Sequence, residues 1–127
     1  MLKKLLLASL LMTTMTFAAD TRIYELRTYR TLDGRLDALM TRFRDHTLRL
    51  FEKHGMENLG YWVPEDQPNT LIYLLGHKSK EAGMKSWADF QKDTDWVKAR
   101  TASEVSGKIV EKVDRVWLSP TDFSKMK

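Results

Sequence analysis

Glu25 and Arg27 stand two residues apart in the run RIYELRTYR. In an extended chain that spacing puts both on one face. An acid beside a guanidinium there has two readings. It is a proton acceptor or donor next to a cation that orients an anionic ligand. Alternatively, it is one rung of a charge ladder with Arg115 and Glu111 of the last predicted strand. Tyr29 continues the same face. His77 ends a later run on the face of Leu71, Tyr73 and Leu75. An imidazole there can move protons near neutral pH, or simply finish a strand as a polar end residue. Trp117 adds an aromatic surface from the final run. Glu25, Arg27, Tyr29, Tyr73, His77 and Trp117 are therefore the candidate ligand-binding set. Their spacing names no reaction, and no catalytic residue is assigned.

Other chemistries find little support. His46 and His54 are ~12 Å apart along a helix, too far to share an ion. There is no cysteine, no HExxH and no His-x-His, so no metal is expected. Asp93 and Asp95 read as helix-start residues. No glycine-rich phosphate loop, nucleophile elbow or dinucleotide fingerprint occurs, and no cofactor is expected. Lysine and arginine alternate with aspartate and glutamate along the chain, without the basic stripe that neutralises phosphates; nucleic acid is not an expected partner.

Several elements must position the candidates. Arg22–Arg30 alternates as a strand. Leu32-Asp33-Gly34 is a turn, with Asp33 a possible helix cap. Arg35–His54 carries a broad apolar stripe of Leu36, Leu39, Met40, Phe43, Thr47, Leu50 and Phe51 at helical steps. Arg42, Asp45, Arg49 and Glu52 fall on its solvent side, and His46 at its margin. His54-Gly55 is a helix stop. Met56–Val63 and Thr70–His77 are aromatic and β-branched runs joined by a loop holding Pro64 and Pro68. Lys80–Lys92 is a second helix, capped by Ser79. A break at Asp93 then starts a short helix through about Gly107, with Trp96 in its first turn; the alternative is one long helix exposing Trp96 to a partner. Lys108–Leu118 is the last strand.

The order βαββαβ predicts an α+β, ferredoxin-like fold: a four-stranded antiparallel sheet with helices on one face. The other face needs a cover. Taking Tyr24 and Leu26 as the helix side leaves Glu25, Arg27, Tyr29, Tyr73, Leu75 and Trp117 on the open side. A second copy offering the same face would bury them.

The chain opens with a basic Met1-Leu2-Lys3-Lys4, an uncharged apolar run from Leu5, and Ala18-Ala19-Asp20. Basic, apolar and small in that order is a secretory signal, expected over residues 1–19 with cleavage after Ala18 or Ala19. The run is shorter than the ~20 apolar residues of a membrane span, so no stable span remains after cleavage. Residues 20–127 then form one domain, periplasmic or secreted. Loss of Lys3 and Lys4 lowers the formal charge from +4 to +2.

Five stretches carry a family resemblance: RIYELRTYR, FRDHTLRLFEKHGMENLGYW, NTLIYLLGHKSKEA, SWADFQKDTDW and SPTDFS, in order across Thr21–Ser124. They resemble the NIPSNAP family. The resemblance implies the dimeric α/β barrel, in which two ferredoxin-like domains join their open sheet faces around a shared interior. It supplies no catalytic signature that can be carried over residue by residue. The export signal departs from the mitochondrial members of the family.

The expected function is an exported homodimer that binds a small, partly apolar ligand between its sheets. Two alternatives stand beside it. Related dimeric α/β barrels include cofactor-independent oxygenases and haem-handling enzymes, an analogy from fold. The other is a structural or interaction protein with a filled interior.

Overall fold

The structure is a computed structural model that describes residues 22–127. The expected signal peptide and its cleavage site lie outside the described residues. Four strands, β1 (Ile23–Thr31), β2 (Glu57–Trp62), β3 (Thr70–His77) and β4 (Val110–Leu118), form one antiparallel sheet in the order β2-β3-β1-β4. This is the ferredoxin-like arrangement that the element order predicts.

Between β1 and β2, α1 (Leu36–Arg42), a π-helical turn (Phe43–Thr47) and α2 (Leu48–Lys53) run on as one rod. The rod ends at His54. Gly55 has φ +79°, the left-handed region that glycine enters without strain. Asp33 does not cap this rod; its carboxylate instead accepts a hydrogen bond from Asn69 Nδ2 at 3.3 Å. The helix α3 (Lys80–Lys92) starts on Ser79, whose hydroxyl accepts from the Ala82 N–H at 3.0 Å. Asp93 starts α4 (Thr94–Ser103) by accepting from the Asp95 N–H at 2.9 Å. The break at Asp93 thus holds, although α4 stops short of Gly107. Trp96 is half-buried against Phe90, with ring centroids 4.6 Å apart, and is not the exposed tryptophan of a single long helix.

The core lies between this helical layer and one face of the sheet. Leu39, Phe43, Leu50, Phe51, Met56, Leu71, Tyr73, Leu75, Trp87 and Phe90 pack as one buried cluster. Each large side chain so buried contributes roughly 1.5–3 kcal/mol, which makes this cluster the main source of stability.

The sheet faces are the reverse of the sequence-based expectation. Cross-strand partners share a face. Glu25 pairs with Leu75 and Trp117, Arg27 with Tyr73 and Arg115, Tyr29 with Leu71 and Val113. This set meets the helices, because Trp87 of α3 bonds to Glu25 and Phe43 packs edge-on to Tyr29 and Tyr73. Tyr24, Leu26 and Thr28 take the other face with Ile72, Leu74, Val116 and Leu118. Hydrophobicity misled the assignment. The charges on the core face are paired with one another, so burying them does not leave a lone ion.

Candidate functional site

Glu25 is the centre of a buried polar cluster. Its side chain is 0% exposed. Oε1 accepts from the Trp87 indole Nε1–H at 2.8 Å and lies 2.7 Å from His77 Nε2. A carboxylate oxygen only accepts, so His77 Nε2 carries the proton of that bond. His77 Nδ1 is left buried without a partner among the described residues. Oε2 accepts from Arg27 Nη1 at 3.0 Å, with Arg115 Nε 3.8 Å away. Burial opposes the Glu25 charge, but the bonds from His77, Trp87 and Arg27 outweigh it and hold its pKa below the ordinary value. Glu25 is therefore an ionised acceptor at neutral pH.

Arg27 extends the cluster along the sheet. Nε donates to Tyr73 Oη at 2.8 Å, and Nη2 donates to Tyr29 Oη at 3.1 Å. Its guanidinium lies over the Trp87 ring, 4.1 Å from the centroid. Burial again opposes charge, while Tyr73, Tyr29 and Glu25 raise the Arg27 pKa. A guanidinium has about five N–H donors. One on Nε, one on Nη1 and one on Nη2 are engaged, so each terminal nitrogen keeps a donor that nothing among the described residues takes.

Arg27 and Tyr29 reach a cleft of 1060 Å³ between the β1–β4 side of the sheet and α3–α4. Trp87, Phe90 and Trp96 give it aromatic walls, and Arg42, Arg100 and Lys112 add positive charge. This space lies within a single chain, not in the chamber between two sheets that the sequence suggests.

The six sequence candidates divide accordingly. All lie on the helix side. Arg27 and Tyr29 line the cleft. Glu25, Tyr73 and His77 support Arg27 from within the core. Trp117 packs against His77 at 5.3 Å between ring centroids. The charge ladder is partly present, since Arg115 Nε lies 3.8 Å from Glu25 Oε2, whereas Glu111 lines the cleft.

Arg42 is a further residue that sequence reasoning misplaced. The helical wheel puts it in solvent, yet its side chain is 5% exposed, under α4 and against Trp96. The π turn and the return of α4 across the rod cover it, and a regular helical period shows neither. The turn itself leaves no mark in the apolar spacing. Trp87 and Trp96 are aromatics whose spacing does not separate a cleft wall from a core or interface position.

Among the described residues no cluster of histidine, aspartate or glutamate could hold a metal ion, and no helix is long and apolar enough to cross a membrane.

Similarity to known proteins agrees with this architecture. A NIPSNAP family protein of unknown function from Agrobacterium tumefaciens superposes with a TM-score of 0.73 at 22% identity, over 87% of this chain and 97% of its own. A NIPSNAP-like domain protein from Burkholderia xenovorans gives 0.72 at 16% identity, over 83% and 90%. A Nitrosomonas europaea protein named after the antibiotic biosynthesis monooxygenases gives 0.55 at 11% identity, over 77% and 97%. At these identities the likeness is one of fold. Among curated proteins, none matches the chain. The sequence profile of the NIPSNAP family matches residues 24–125, which holds every helix and all of the sheet but Ile23, and the chain therefore belongs to the NIPSNAP family.

Proposed function

We propose that this NIPSNAP protein is an exported homodimer that holds a small molecule, anionic at one end and apolar elsewhere, in the cleft between sheet and helices. One observation carries the reading: Arg27 lines that cleft with a free donor on each terminal nitrogen, braced by Glu25, Tyr73 and Tyr29. A carboxylate accepts a guanidinium's two donors side by side. The ring of Trp87 and those of Phe90 and Trp96 receive the apolar part.

The oxygenase reading has less support. Glu25 and His77 carry the acid–base chemistry of this region, and both are shut into the core away from the cleft. A purely structural role leaves the cleft and the free Arg27 donors without a purpose.

Export rests on the Lys3-Lys4 charge, the leucine run and the alanines. Dimerisation rests on the open sheet face, where Leu26 sits in a row between Leu74 and Val116. Periplasmic or secreted protein should begin at Ala19 or Asp20; an intact Met1 would rule out a cleaved signal.

Native mass spectrometry of protein purified from its own host tests the binding. Wild-type protein should carry a small acid that Arg27→Lys loses. The substitution keeps a charge beside Glu25 but removes the fork. Equal retention by the two proteins would remove Arg27 from the site. Absence of any bound molecule from wild type would count against binding itself.

A further inference from the structure

Arg42 is a buried cation with too little negative charge around it. Its Nη1 donates to Ser103 Oγ at 3.3 Å and lies 3.5 Å from Glu104 Oε1. That same Glu104 oxygen stands 3.6 Å from Arg100 Nε. One carboxylate thus serves two guanidiniums, and neither at a close hydrogen-bond distance. Arg42 Nε is buried and has no partner among the described residues. Lys108 and Lys112 add two more cations to the cleft, against one further acid, Glu111.

The fold also holds Arg42 firmly in this position. It is the last residue of α1 before the π turn, and Thr47 Oγ1 donates to its backbone carbonyl at 3.3 Å across that turn. A π turn interrupts the regular helix ladder, and such turns recur at functional sites. The Arg42 guanidinium lies 5.3 Å from the Trp96 ring centroid, on the wall of the cleft that also holds Arg27. Tyr29 accepts a hydrogen bond from Arg27 and lines the same cleft as both arginines.

We infer that the cleft is built for a two-headed anion, with one acidic group on Arg27, the second on Arg42, and an apolar chain or ring system between them against Trp87, Phe90 and Trp96. The chemical class is a dicarboxylate or a molecule with equivalent acidic ends. A second anion would supply the charge that Glu104 cannot give to Arg42 and Arg100 together. The inference rests on the Arg27 reading above, and it specifies the far end of the same ligand.

Calorimetric titration with two matched series tests it: the monocarboxylates hexanoate to dodecanoate, and the straight-chain dicarboxylates adipate to dodecanedioate. For at least one length, the diacid should bind wild-type protein about tenfold more tightly than the monoacid, a difference of about 1.4 kcal/mol. Arg42→Gln should remove that advantage, bringing the diacid and monoacid affinities together at every length. Arg27→Lys should weaken both series. If monoacids bind and diacids gain nothing at any length, the second anchor is wrong while the Arg27 reading stands. If neither series binds, both are wrong. If Arg42→Gln does not fold, the wild-type comparison still tests whether the cleft rewards a second acidic group.

Discussion

The Trp87 indole N–H donates to Glu25 Oε1 at 2.8 Å, joining α3 to β1, one of the two central strands of the sheet, through a carboxylate with no exposure to solvent. His77 reaches the same oxygen and Arg27 the other. One side chain thus organises an indole, an imidazole and a guanidinium. Arg27, the proposed binding residue, takes its position from that arrangement.

Glu25→Gln should therefore be costly although it is nearly isosteric. The amide can accept from Trp87 or His77 through its oxygen, but its NH2 then points donors at Arg27. A buried pair broken on one side loses about 3–5 kcal/mol. Urea unfolding should show a loss in that range. A loss below about 0.5 kcal/mol, the size of an ordinary surface change, would mean that the cluster is not a buried charge network.

Stability should fall in acid, and the sign follows from two depressed carboxylates. Burial opposes the Glu25 charge, but His77, Trp87 and Arg27 lower its pKa below the ordinary 4.5. Lys53, His54 and the Asp95 N–H lower that of Asp93 below 3.8. Below these ordinary values the unfolded chain binds more protons than the folded one, so folding stability rises with pH across that window. The contribution is complete above the ordinary values and is lost as pH falls through the folded ones. Urea midpoints should be level above about pH 5 and decline below it. Asp93→Asn should flatten part of the decline. An unchanged slope in that variant would remove Asp93 from the account.

Gly83→Ala tests the packing over His77. A Cβ at position 83 would lie 2.9 Å from His77 Cγ and 2.9 Å from Trp117 Cη2. Alanine improves helix propensity by about 1 kcal/mol over glycine. Overpacking costs about 1–3 kcal/mol, so the crowding should win and the variant lose about 1 kcal/mol. Near-ultraviolet circular dichroism should change with it as Trp117 shifts. A variant more stable than wild type would show that the two rings yield without cost.

The open sheet face should be a dimer interface. Leu74, Leu26 and Val116 form a row across β3, β1 and β4, and Val116 is 51% exposed. Sedimentation at micromolar concentration should give twice the mature mass for wild type and the single mass for Val116→Asp. A charge there would be buried without a partner. A folded, soluble wild-type monomer would remove the dimer from the proposal.

The ferredoxin-like order was legible in the sequence because each element carries its own local signal. Alternation marks β1, the three- and four-residue steps mark the first rod, and Ser79 and Asp93 cap α3 and α4 as their residue types suggest. The five family motifs were legible for the same reason, being contiguous.

Which face of β1 meets the helices was not legible. A strand's period of two defines two faces but does not name them. Tyr24 and Leu26 look like the core side by hydrophobicity. The tertiary structure chose Glu25, Arg27 and Tyr29 because Trp87, His77 and Tyr73, which lie 46 to 62 residues away along the chain, supply the partners that make a buried charge tolerable. Arg42 follows the same logic. Its place on the wheel is a property of the rod alone, while its burial depends on α4 returning across it. The sequence by itself determined the elements, their order and the residues able to do chemistry. Only the folded chain decided which of those residues meet, since burial and pairing are set by distant segments and not by local spacing.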